Sequence, residues 1–120
     1  MQFNFDNNLP IYIQLVEQLE LYIISGKIPP GERLPSVRDL ASLAKVNPNT
    51  MQRALTELEE MKLITTERTN GKFVTTNAKL ITKHRAKYAD LTVKNFFKSM
   101  RDLGFDYETT INYINHGGKI

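Results

Sequence analysis

Hydrophobic positions recur at helical spacing along the first quarter of the chain. Leu15, Val16, Leu19, Tyr22 and Ile23 share one face, and Asn8-Leu9-Pro10 precedes them with a proline suited to a first turn. Gly26 ends this predicted helix. The stretch from Ile28 to Pro35 reads as a rigid connector, in which Pro30-Gly31 fits the two central positions of a type II turn. Ser36 is then a natural N-cap, with Asp39 near the place a capping box gives its acid. Val37, Leu40, Ala41 and Ala44 form the inward stripe of a short helix. Lys45-Val46 makes a tight turn, Asn47 caps again, and Pro48 opens a helix that buries Met51, Ala54, Leu55, Leu58 and Met61.

The period then changes. Leu63 to Thr66 and Phe73 to Thr76 are β-branched and aromatic runs joined by Glu67 to Lys72, and the Asn70-Gly71 pair between them is a strong hairpin signal. After Asn77, a further cap, a long helical pattern carries Leu80, Ile81, Tyr88, Leu91, Phe96, Phe97, Met100 and Leu103 to a stop at Gly104. A last short helix follows, capped by Asp106, with Ile111 and Ile114 on one side and Gly117-Gly118 at its end. The fold class expected is mainly α with a small β-hairpin: a winged helix-turn-helix over 1–76 and a two-helix arm over 77–120. An arm of this size cannot bury its aromatics alone, so a second copy is the expected partner, through Leu91, Phe96, Phe97, Met100 and Leu103.

Composition changes this picture little. With 41% hydrophobic and 24% charged residues the chain is ordinary for a globular protein. No apolar run approaches the roughly 20 residues of a membrane span, and MQFNFDNNLP lacks the basic start and apolar core of a signal peptide. No membrane partner is implied, and a cytoplasmic, nucleoid-associated protein is expected. The absence of cysteine removes disulfides, thiolate metal sites and cysteine nucleophiles together. The net charge of +3 is unevenly spread: residues 1–76 carry eight Lys/Arg against nine Asp/Glu, and residues 77–120 carry eight against four. DNA binding by the front half must therefore rest on where its cations stand.

That placement is favourable. A helix-turn-helix needs a short helix, a tight turn and a second helix that enters the major groove by its N-terminal end, and Ser36 to Met61 has those proportions. The exposed start of the second helix carries Asn47, Asn49, Thr50, Gln52 and Arg53. Amides pair with adenine edges, and arginine pairs with guanine edges or phosphates. For Arg53, an i,i+4 pair with Glu57 is an equal alternative. Arg38 lies in the first turn after the Ser36 cap, and the hairpin tip sets Arg68 and Lys72 on either side of Asn70-Gly71. Lys79, Lys83, Arg85 and Lys87 read as a solvated face. His84 and His116 lack companions at metal-ligand spacing, and no nucleophile with a paired base, phosphate-cradling loop or carboxylate dyad occurs. No catalytic residue, metal or cofactor is implied. The rival reading is a winged-helix protein–protein interaction module without DNA affinity.

The sequence resembles the GntR family of bacterial regulators over about residues 9–75. The resemblance is carried by LPIYIQLVEQL (9–19), PGERLPSVRDLA (30–41), VNPNTMQRALTELE (46–59), Leu63-Ile64 and GKFV (71–74). The helical tail is similar to that of the YtrA subgroup, whose members carry a two-helix dimerisation segment in place of a large ligand-binding domain. The resemblance implies a homodimeric repressor on double-stranded, pseudo-palindromic operator DNA. It places DNA contacts at Ser36, Arg38, Asn47, Asn49, Thr50, Asn70 and Gly71. A small-molecule effector, if there is one, has no identity in the sequence: Tyr88, Phe96, Phe97 and Met100 read as core or dimer interface before they read as a pocket. Three positions depart from the family pattern. Lys62 replaces the usual glycine, where a left-handed lysine costs on the order of 1 kcal/mol, so a slightly different helix exit is expected. Thr69-Asn70-Gly71-Lys72 replaces the usual Gly-x-Gly-Thr wing tip. Pro48 and Gln52 stand where some branches have arginines, so their operators do not transfer.

Overall fold

A computed structural model describes residues 1–117; Gly118, expected to help end the last helix, lies outside them. The elements are α1 (Ile11–Ile24), α2 (Val37–Ala44), α3 (Pro48–Glu60), β1 (Ile64–Glu67), β2 (Gly71–Val74), α4 (Ala78–Asp102) and α5 (Tyr107–His116). The chain forms two compact units, Met1–Lys83 and His84–Ile120, so the division falls inside α4, seven residues beyond Asn77.

In the first unit α1 and α2 both pack on α3, which also meets β1. Leu15, Leu19, Ile23, Leu40, Met51, Leu55, Leu58, Leu63 and Val74 are the large apolar side chains at its fully buried centre. Burying one such side chain is worth about 1.5–3 kcal/mol, so this cluster dominates the stability of the unit. Met61 is only half-buried, because α3 ends before it and Met61 serves as the C-cap. Lys62 then adopts a left-handed φ of 68°. The exit therefore keeps the backbone that glycine would favour, and lysine bears the strain.

The hairpin pairs Ile64 with Val74, Thr65 with Phe73, Thr66 with Lys72 and Glu67 with Gly71. A two-residue type I′ turn needs positive φ at both central positions. Asn70 does not have it, whereas Gly71 does, at 105°. Asn70 N–H instead donates to Glu67 O at 3.2 Å, so the tip is a longer loop and Gly71 belongs to β2. The connector before α2 is more than a spacer. Glu32 N–H closes the Pro29–Glu32 turn with Gly31 at φ 80°, and residues 31–34 then run along the free edge of β2. Gly31 N–H donates to Val74 O (2.9 Å), Val74 N–H to Glu32 O (2.9 Å) and Leu34 N–H to Lys72 O (2.8 Å), with Arg33 bridged to Phe73.

Residues before α1 form an extended arm along that helix, held by side chains spaced four apart. Gln14 accepts Asp6 N–H (2.7 Å) and donates to Asp6 O (2.8 Å). Gln18 does the same for Asn4 (3.1 and 2.6 Å), and the Tyr22 hydroxyl for Gln2 (2.7 and 2.6 Å). Phe3 and Phe5 stack on each other, and Phe3 meets the Tyr22 ring edge-on.

The second unit is a helical hairpin. Helix α4 starts within the first unit, where Asn77 Oδ1 accepts Leu80 N–H at 3.1 Å. Gly104, at φ 98°, ends it in a Schellman motif: Phe105 N–H reaches Met100 O and Gly104 N–H reaches Arg101 O, both at 2.9 Å. Asp106 and Thr109 then form a capping box at α5, as the Asp106 cap predicts. The Thr109 backbone N–H, and next its hydroxyl, hold the Asp106 carboxyl below the usual range. Gly117 is the C-cap of α5, in right-handed conformation. Between the helices Phe97 stacks on Tyr107 at 5.4 Å, Phe105 meets Tyr113 at 5.5 Å, and Met100 and Thr110 are buried.

Candidate nucleic-acid interface

The helix-turn-helix is set by its caps. The Ser36 hydroxyl accepts Asp39 N–H at 3.1 Å and starts α2. Lys45, left-handed at φ 57°, ends it, and Val46 N–H returns to Ala41 O at 3.0 Å. Asn47 Oδ1 accepts Asn49 N–H at 2.7 Å, and Pro48 begins α3. Burial of Met51, Ala54, Leu55 and Leu58 fixes the rotation of α3 and leaves Asn49, Gln52 and Arg53 exposed. Arg38 is exposed and has no hydrogen-bond or ionic partner among the described residues. Gln52 lies along the helix, with Nε2 3.3 Å from the Thr56 hydroxyl. Thr50 is half-buried and lines a cleft with Phe5, Asn7, Ile11 and Asn47, so the N-terminal arm flanks the entry of α3.

Arg53 is not held by a simple pair with Glu57. Its guanidinium lies over the Tyr12 ring, 3.9 Å from the centroid, and the Tyr12 hydroxyl donates to the Glu57 carboxylate. That bond to Glu57 holds the Tyr12 phenol above its ordinary range. The recognition helix is thus tied to α1 by a cation–π contact and a hydrogen bond at adjacent turns.

The wing departs from expectation at Lys72. Its ammonium pairs with the Glu59 carboxylate and donates to the Thr66 hydroxyl at 2.9 Å, and its side chain is only 16% exposed. Burial would push the Glu59 carboxyl up, but Lys72 and Thr66 outweigh it and hold the group below its usual range. Lys72 therefore braces the wing against α3, and its charge does not stand free at the tip. Arg68, Thr69 and Asn70 are exposed, and Asn70 Nδ2 donates to the Glu67 carboxylate at 3.2 Å. Gly71 is covered by a residue that the sequence pattern leaves in the connector: a β-carbon at position 71 would lie 3.1 Å from Arg33 Nε. A groove joins Arg33, Pro35 and Ser36 to Arg68, Thr69 and Gly71.

The sequence reading missed Tyr12, Arg33 and Glu59. For Lys72 a signal existed: side chains alternate along a strand, so Lys72 shares the inward face of Val74. Among the described residues no group of three His, Cys, Asp or Glu could hold a metal, and no helix is long and apolar enough to cross a membrane.

Three helices, a tight turn between the second and third, and a hairpin with a third edge define a winged helix-turn-helix protein. The chain belongs to the GntR family of bacterial regulatory proteins, whose model matches residues 11–74. It is therefore a transcriptional regulator of a DNA-binding family. The HTH-type transcriptional repressor YtrA of Bacillus subtilis is 39% identical over 79 residues, 66% of this chain and 61% of YtrA. A GntR family transcriptional regulator from Listeria monocytogenes superposes with a TM-score of 0.84 at 38% identity, over 92% of this chain and 97% of that one. The DNA-binding domain of AraR, solved in complex with operator ORE1, superposes with a TM-score of 0.53 at 27% identity, over 62% of this chain and 94% of that one.

Proposed function

We propose that the protein is a homodimeric repressor that binds a pseudo-palindromic operator, using Met1–Lys83 to contact DNA and the α4–α5 arm to pair two copies. The observation that carries this reading is the face of α3 left free by its buried stripe. Asn49 and Gln52 stand exposed at the N-terminal end of the second helix of a helix-turn-helix, with Arg38 unpaired on the first. Ser36, Asn47, Thr50, Arg68, Asn70 and Gly71 complete the DNA-facing set. Arg53 and Lys72 act chiefly by fixing α3 and the wing. The repressor named YtrA and the operator complex of AraR support the same direction.

In the arm, Leu91, Phe96 and Leu103 are exposed and supply the self-association surface, with half-buried Phe97 and buried Met100 shaping it from beneath. Two copies would present two α3 helices to half-sites about one turn of DNA apart. An effector that changes the angle between copies, or abundance alone, would set occupancy of the promoter. In vitro selection from a random duplex library tests this. One palindrome enriched by the wild type and not by Arg38→Ala is expected. No enrichment at low salt by a folded protein would overturn the proposal and leave the protein-interaction module in front.

A further inference from the structure

Resting on that DNA-binding reading, we propose that Arg33 is a phosphate-contacting residue of the wing, supplying the second cation that Lys72 withholds. Lys72 faces inward and is neutralised by Glu59. Arg33 stands on the opposite edge of β2 with neither a hydrogen-bond nor an ionic partner among the described residues.

Its place is fixed by backbone. The ladder from Gly31 to Leu34 along β2 holds the Arg33 main chain beside the wing, and the bridge to Phe73 sets its register. The guanidinium then lies against the bare Cα of Gly71, with Nε, Nη2 and Cζ at 3.1, 3.4 and 3.7 Å from where a β-carbon would stand. The φ of 105° calls for glycine there, and a β-carbon would also crowd the guanidinium, which would have to give by a few tenths of an ångström. The fixed main chain sets the exposed side chain beside the wing, and its planar fork suits a phosphate better than an ammonium would.

The groove it shares with Arg68, Thr69 and the Ser36 cap presents two guanidinium groups to an approaching strand. The acid in that groove, Glu67, is engaged by Asn70. A sugar–phosphate backbone running past the wing tip would therefore meet Arg68 from the loop and Arg33 from the connector. The wing is in this sense a composite of two chain segments, and its charge is set by a residue on the far side of the helix-turn-helix in sequence.

The test is the salt dependence of binding, measured on the duplex enriched by selection and on a random-sequence duplex. Each phosphate contact contributes about 0.9 to the slope of log K against log salt. Arg33→Gln is expected to lower that slope by about one and to weaken binding to both duplexes about ten-fold, since a charge-assisted hydrogen bond is lost. Arg33→Lys is expected to keep the slope. An Arg33→Gln protein with wild-type slope and affinity overturns the proposal. Thermal unfolding reports whether that variant is folded. A second measurement needs no variant: the enriched duplex should protect Arg33 from an arginine-directed dicarbonyl reagent, read by peptide mass, and unchanged modification of Arg33 overturns the proposal equally. Failure of the underlying reading looks different, because the wild type itself would then show no salt-dependent binding to either duplex.

Discussion

The two units treat their apolar residues in opposite ways. In Met1–Lys83 the large aliphatics are interior, and its scattered exposed ones, such as Ile13 and Leu43, are ordinary for a folded surface. In His84–Ile120, Met100 is the one buried hydrophobic side chain among the described residues, while Leu91, Val93, Phe96, Leu103, Tyr107, Tyr113 and Ile114 are 42–72% exposed. Both units have well-made helix ends, so local structure does not separate them. The difference is where the hydrophobic free energy is collected: within one chain for the first unit, and for the second only when something covers it. The boundary between these two units falls within a single helix, α4.

The largest effect expected is in the first unit. Leu55→Ala removes a fully buried side chain from α3 and should destabilise the protein by about 3 kcal/mol, read by urea unfolding. A change below about 1 kcal/mol would mean that the centre is less tightly packed than its burial implies. The arm should respond in association instead. Phe96→Ser is expected to weaken self-association by ten-fold or more in sedimentation equilibrium while leaving the unfolding of the first unit unchanged. If the wild type is already monomeric at high micromolar concentration, the contrast between the units loses its functional meaning. The smallest effect concerns Lys62. Replacing it with glycine relieves the left-handed backbone and should raise stability by about 1 kcal/mol, several degrees in a thermal melt, with DNA affinity unchanged. No rise would indicate that Lys62 gains elsewhere what its backbone loses.

What the sequence made legible, and what it hid, divides by range. The caps at Ser36, Asn47, Asn77 and Asp106, the turn at Pro30-Gly31 and the buried stripe of α3 from Met51 to Leu58 are encoded within a few residues, and each stands where its local pattern puts it; Met61, expected in that stripe, is half-buried at the C-cap. The misses are contacts between residues far apart in the chain. Arg53 meets Tyr12, 41 positions away, and Lys72 meets Glu59, 13 away. Neither is predictable from propensity, because each depends on how α1 and the hairpin approach α3. The third edge of the sheet was hidden for a related reason: proline and glycine around residues 29–35 read locally as a connector, and only β2 turns part of it into a strand. At the tip, Asn70-Gly71 is a strong local signal that a longer loop overrides, with glycine alone taking the positive φ.

The ladder between the N-terminal arm and α1 has a consequence for how that segment can vary. Four helical residues advance about 6.0 Å and two extended residues about 6.6–6.8 Å, so successive rungs drift apart by somewhat under 1 Å. Flexible glutamines at 14 and 18 absorb the first step, and the longer tyrosine at 22 reaches the last. Every rung grips main-chain atoms. Much of the arm's shape is thus written in the helix, and the side chains at positions 2 and 4 are free to drift during descent so long as neither becomes proline, whereas the Asp6 carboxylate is itself used, accepting Asn8 N–H at 2.9 Å. Homologues should keep the arm's path while positions 2 and 4 change, with the constraint showing at 14, 18 and 22 and at the side chains of the arm that make contacts of their own, Phe3, Phe5 and Asp6.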